Sequence, residues 1–212
     1  MAFRFQKANC VVVGTFNMYI VHPKWLVKHE IIEQGEVAIQ FNLAQPGFRF
    51  VPAKHNVAWT VAPERVVIES EAPEMDCGAR VAAVLRKLPE TPLFAIGNNV
   101  VYRAGLDEIA LLSQPIRDFL QTSSPAPDQT FAQRSLHVAV KQGEHQITNL
   151  QVSVKEDGIE LLCNVHTELR DRDDANQAAV DAAERFFRDR TAVKPLIQHF
   201  FAAEIEHAPD NA

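Results

Sequence analysis

The residues of this chain able to do chemistry gather in a few short stretches. The first is His22-Pro23-Lys24-Trp25, followed by His29 one helical turn beyond the tryptophan. A proline favours the first position of a helix, so His22 is expected to cap a helix and Trp25 to plug the edge of a core. The functional alternative is a small pocket lined by His22, Trp25 and His29, with a surface for stacking and no evident nucleophile. The second stretch is AIGNN, residues 95–99. Neighbouring side chains on a strand point to opposite faces, so one of Asn98 and Asn99 must meet a covered face and needs hydrogen-bond partners. Gly97 within a strand marks a bulge or a close approach by another group. Asn17 and Asn99, both expected on long central strands, supply the amide lining of any ligand pocket. The ligand-binding candidates are therefore Asn17, His22, Trp25 and Asn99.

The third stretch, CNVHTELRDRDD, concentrates Cys163, His166, Glu168, Asp171, Asp173 and Asp174. Metal ligands must converge, and on a strand Cys163 and His166 face opposite ways. His166 and Glu168 share a face, while Asp173 or Asp174 suits a helix cap, so no metal site is expected. The cysteines, Cys10, Cys77 and Cys163, form neither a CxxC pair nor an even framework, which suits a reducing compartment. GxGxxG, GxxxxGK, GxSxG and HExxH are all absent. With eight glycines in 212 residues, the chain has little material for loops that cradle phosphate. No catalytic residue and no cofactor is assigned.

These groups need elements to position them. Apolar side chains on both alternating faces of residues 10–21 predict a covered strand, and Pro23 then opens a helix. Short strands follow at 36–41 and 48–51, then a hairpin in NVAWTVAPERVVIESE. Asp76 caps a helix with the stripe Val81, Val84, Leu85 and Leu88. A strand apolar on both faces runs from 92 to 103, and a helix over 107–121 is expected to bend at Pro115. Beyond the linker-like TSSPAPDQT at 122–130 lie SLHVAVK, NLQVSVK and GIELLCNV, a three-stranded antiparallel meander with one apolar face. Its outer face carries the interaction-surface candidates His137, Lys141, Gln151, Asn164 and His166. Paired histidines on such a face would make an association sensitive to pH near ~6.5. One helix then follows, ending near Arg185, Arg188 and Arg190, and Pro195 is expected to begin another.

The resulting class is α+β, an antiparallel sheet with helices packed on one face and two loosely similar halves. The division expected is 1–121 and 131–212, joined by 122–130, though the whole can form a single domain. A net charge of -6, with Asp181, Glu184 and Asp189 interleaved among the arginines, gives no reason to expect a nucleic-acid partner. The start MAFRFQKANCVVVG is broken by Gly14, Thr15 and Asn17 without a cleavage pattern, and no apolar run reaches the ~20 residues of a membrane helix. A cytoplasmic location without membrane attachment is the expectation.

Three stretches, GTFNMYIVHPKWL, WTVAPERVVIE and LPETPLFAIGNNVVYR, together resemble a sporadically distributed family of uncharacterised bacterial proteins. That family shares a glycine-phenylalanine-asparagine strand, a His-Pro-x-Trp step and a Thr-Pro strand ending at Gly-x-Asn. The matching positions are Gly14, Phe16, Asn17, His22, Pro23, Trp25, Thr91, Pro92, Gly97 and Asn99. The likeness covers the first half well and the rest by length and element order, and it implies no activity. The functional expectation is an association or scaffold protein without catalytic activity, self-associating as a homodimer. The alternative is a small-molecule-binding protein or enzyme with a pocket between sheet and helices.

Overall fold

The computed structural model describes residues 2–41, 46–53, 56–120, 134–155, 157–202 and 204–205. The expected linker at 122–130 lies outside the described residues. The first strand, β1 (Ala2–Gly14), begins earlier and ends sooner than the apolar run suggests. A bulge against its neighbour between Phe5 and Lys7 shifts the alternation, so Phe3 and then Ala8, Cys10 and Val12 are the buried positions. This phase shift hides the start of the strand in the sequence. At Gly14 the chain leaves the sheet, where a Cβ would sit 2.4 Å from the Pro92 carbonyl oxygen. Residues 17–20 form a turn instead of continuing the strand, with the Ile20 N–H on the Asn17 carbonyl oxygen.

Helix α1 (Pro23–Lys28) starts at its proline, and four antiparallel strands follow: β2 (Val37–Phe41), β3 (Phe48–Pro52), β4 (Ala58–Ala62) and β5 (Arg65–Ser70). Trp59 is fully buried, stacked on Phe50 at 5.6 Å between ring centres. Asp76 caps α2 (Cys77–Lys87) by accepting from the Ala79 N–H at 2.8 Å. Strand β6 (Leu93–Ala104) is followed by a 3-10 segment, Leu106–Leu111, and by α3 (Gln114–Leu120). The single bent helix expected over 107–121 is thus two pieces. Pro115 sits in the first turn of α3, where its missing N–H has no helical partner to lose.

The meander is β7 (Arg134–Lys141), β8 (Gln146–Lys155) and β9 (Gly158–Glu168). Two helices, α4 (Ala175–Glu184) and α5 (Phe186–Phe201), and a short strand, β10 (Glu204–Ile205), follow. The break expected at Pro195 falls at Arg185 instead, and Pro195 lies inside α5. Arg188 and Arg190 therefore belong to the first half of α5, not to the end of the preceding helix. Asp174 stands at the cap of α4 but makes no side-chain cap bond, because Arg172 holds its carboxylate.

The described strands join one large sheet in the order β2-β3-β4-β5-β1-β6-β9-β8-β7, with β10 parallel to the start of β1. The neighbours along this path are antiparallel, and with the helices the class is α+β. Strands β1 and β6, far apart in sequence, pair at its centre. Helix α2 packs on β1 and β5, and α4 on β6 and on α2. The two helices meet at Gly78, where a Cβ would lie 2.0 Å from the Ala183 carbonyl oxygen. Only a residue without a side chain permits that approach. No helix among the described residues is long and apolar enough to cross a membrane.

Candidate functional site, an amide row across the sheet

Alternation along the central strands sorts the side chains into two sets. Cys10, Val12, Ile96, Asn98, Val100, Leu161 and Cys163 are buried. Their neighbours Asn9, Val11, Asn99, Val101, Leu162 and Asn164 are only partly buried. Within this second set the register aligns Glu69, Asn9, Asn99, Asn164 and Asn149 on β5, β1, β6, β9 and β8. The asparagines are hydrogen-bonded in series. The Asn149 amide donates to Asn164 Oδ1 at 3.1 Å, Asn164 to Asn99 Oδ1 at 2.7 Å, and Asn99 to Asn9 Oδ1 at 2.7 Å. His137 Nε2 lies 3.2 Å from Asn149 Oδ1 and extends the row to β7.

The three donating amides, Asn149, Asn164 and Asn99, are oriented the same way, each with its NH2 toward β1. With Asn149 Oδ1 as an acceptor, His137 Nε2 carries the hydrogen. Gly97 makes the row possible, since a Cβ there would come 2.8 Å from Asn164 Nδ2. The AIGNN stretch is thereby explained residue by residue. Gly97 leaves room for the Asn164 amide, and Asn99 continues the row. Asn98, on the opposite side of the strand, donates to the Ala182 carbonyl oxygen and to Asp189 Oδ2, both at 2.8 Å.

Charged pairs surround the amides. Lys7 binds Glu69 at 2.8 Å, with Arg49 3.9 Å from the same carboxylate, and Lys155 binds Glu160 at 2.8 Å. Arg103 pairs with Asp157, whose carboxyl it holds below the ordinary range by hydrogen bonding. His166 Nε2 lies 3.7 Å from Glu168 Oε2. Of the interaction-surface candidates, Asn164 is a link of the row. His137 and Gln151 are cross-strand partners, as are Lys141 and Ile147, and Ile147 in turn opposes His166. The structure brings all five onto one side of the meander.

The ligand-binding candidates are not brought together. Asn17 lies in the turn after β1, where its side chain accepts from the Tyr19 N–H at 3.0 Å. The neighbouring Thr15 bonds to Pro92, seven residues before Asn99 along the chain, which is roughly 20 Å of extended backbone. His22 Nδ1 accepts from the Trp25 N–H at 3.4 Å, and the Trp25 and His29 rings lie 4.5 Å apart. A cavity of about 480 Å³ near α1 is lined by Val27, Glu30, Ile31 and Arg80 among others. Another of about 380 Å³ lies by Arg49, Val51, Ala58 and Glu69. Neither is lined by Asn17, His22, Trp25 or Asn99.

No protein-family model matches the chain, and no curated protein matches it significantly. The site must be read from its own chemistry. Burial pushes the thiols of Cys10 and Cys163 up, and that of Cys77 to about 12, so none is a ready thiolate. Ser70 is buried, with its hydroxyl on the Asn56 carbonyl oxygen and on the Ala72 N–H. Among the described residues no three His, Cys, Asp or Glu side chains converge as metal ligands. Asn9 and Asn149, two links of the row, escaped selection from the sequence. Asn9 is an isolated polar residue until the strand order sets it beside the others, and Asn149 reads only as one of several polar residues on the outer face of the meander.

Proposed function

We propose that this chain is a non-catalytic association protein, and that its recognition surface is the sheet face carrying the row from His137 to Asn9. We further infer that the helices pack on the opposite face. The halves 1–121 and 131–212 are read as loosely similar units, each with an antiparallel hairpin followed by a helix, β4–β5 and α2 in one and β8–β9 and α4 in the other. Three free cysteines are in keeping with a reducing cytoplasm.

The observation that carries the reading is the row itself. Holding four amide side chains in a row costs conformational entropy. Water could solvate each of them separately, without that cost. The return is a preorganised surface, because each amide oxygen keeps a second lone pair for a partner. Asn149 and Asn164 each keep a second N–H as well, while that of Asn99 reaches the Gly97 carbonyl oxygen. Partly buried Val11, Val67, Val101 and Leu162 flank the amides, and the ion pairs lie further out. A neutral, half-apolar centre within a charged rim is the pattern of a protein-binding patch.

Native mass spectrometry of protein purified gently from its own host tests the proposal. The expected result is a second copy or a reproducible protein partner, weakened by Lys141→Glu or by Asn164→Ala. A retained small molecule with no protein partner would overturn the reading and direct attention to the cavity beside Arg49 and Glu69.

A further inference from the structure

Among the described residues, strands β2 and β7 end the sheet, and they are treated differently. An edge strand presents unpaired N–H and C=O groups, and proteins that stay monomeric blunt it with charge or proline. Strand β7 carries Arg134, His137 and Lys141. Strand β2 reads Val-Ala-Ile-Gln-Phe, with no charge and no proline, and pairs along its length with β3. Its register sets Ile39 opposite Phe50 and Phe41 opposite Phe48. Ile39 is 46% exposed and Phe41 70% exposed. The Phe41 and Phe48 ring centres are 6.2 Å apart, Phe48 and Phe50 5.9 Å, so an aromatic file runs from the core out to the open edge.

We propose that β2 of one copy pairs antiparallel with β2 of a second copy about a two-fold axis at Ile39. This goes beyond the association reading of the amide face and concerns a separate surface, the open edge at β2. Rotation about Ile39 brings Val37 opposite Phe41 of the second copy and sets the two Ile39 side chains against each other. All of these lie on one side of the joined sheets, so each Phe41 covers apolar surface that is open in one copy. No residue from 37 to 41 is charged, so no like charges meet in this register. Pairing β2 with β7 of another copy would be head-to-tail and would grow an open filament, whereas β2 with β2 closes at two. The contact is small beside the ~1,200–2,000 Å² of a standard interface, so it forms and dissociates with concentration.

Sedimentation equilibrium from roughly 1 to 200 µM, a range that brackets a micromolar Kd, tests this. The wild-type chain should shift from monomer to dimer, and Ile39→Lys, with an unchanged circular dichroism spectrum, should weaken the dimer at least tenfold. If Ile39→Lys does not fold, Phe41→Ser at the more exposed position serves the same purpose. A wild-type chain monomeric throughout overturns the proposal, as does a dimer that Ile39→Lys leaves intact. A dimer lost in Lys141→Glu but kept in Ile39→Lys also overturns it, and leaves the amide face as the association surface. So does a foreign peptide or protein found protecting β2 from hydrogen exchange.

Discussion

Asp189 is the residue whose chemistry is most constrained. It is 5% exposed, and its carboxylate accepts from Asn98 while Asn98 Oδ1 has no partner among the described residues. Burial raises its pKa, and the Asn98 hydrogen bond and the Arg185 and Arg188 charges only partly oppose this. A carboxyl whose folded pKa lies above its unfolded one binds protons more tightly in the native state. Its contribution is therefore most favourable below the ordinary carboxyl pKa near ~4 and declines as pH rises through the folded value. Asp189→Asn should flatten that part of the stability–pH profile. It should also stabilise the neutral-pH protein by about 1 kcal/mol, since an amide accepts from Asn98 without a buried charge and can donate to its free oxygen. Urea denaturation at several pH values measures both effects, and a lower stability at neutral pH would show that the ionised carboxylate is needed. A second expectation concerns the thiols. Cys10, Cys77 and Cys163 are buried with raised pKa values, so iodoacetamide at pH 8 should leave all of them unmodified until denaturant is added. Mass analysis showing alkylation of the native protein would contradict that placement.

Among the elements, helix α2 is held where it is by the absence of one side chain. A Cβ on Gly78 would fall 2.0 Å from the Ala183 carbonyl oxygen and 2.5 Å from Phe186 Cβ, backbone and core atoms that cannot simply turn aside. Gly78→Ala must therefore push α2 away from the junction of α4 and α5, at a cost of about 3 kcal/mol or more. The drop in the urea midpoint would report it, and a loss below 1 kcal/mol would mean that the helices slide apart easily. That Gly78 matters is not legible in the sequence, where it reads only as a weak helix former after Asp76. The same limit separates what could be read from what could not. The hairpin β4–β5 and the meander were legible because short turns and clean alternation define them locally. The start of β1 was not, because its bulge breaks the alternation, and Pro195 misled because α4 and α5 part at Arg185 for reasons of packing. Half of the amide row, Asn99 and Asn164, stood out beforehand. Its continuity did not, since residues 9, 99, 164 and 149 become neighbours only through a strand order set by distant pairing.

For the molecule as a whole, the decisive feature is the seam between β6 and β9. It joins a strand of residues 1–121 to one of residues 131–212, and it runs from Ala95–Glu168 to Ala104–Ile159. Above it, α2 meets α4 at Gly78, and Arg86 of α2 pairs with Glu184 of α4. Buried residues on both sides of the seam, such as Cys10, Ile68, Val100 and Cys163, belong to one apolar cluster. Separation along this line would unpair two long strands at once, open the helix contact and expose a shared core. At 212 residues a chain is large enough to unfold in stages, and a division at 122–130 would lead one to expect two transitions. The seam argues for one. Differential scanning calorimetry should give a single peak, with van't Hoff and calorimetric enthalpies that agree. Asn98→Ala, which leaves Asp189 and the Ala182 carbonyl without their donor, should move that whole peak downward instead of splitting it. A shoulder in the variant, or two peaks in the wild type, would mean that the halves hold together through the sheet but fold independently.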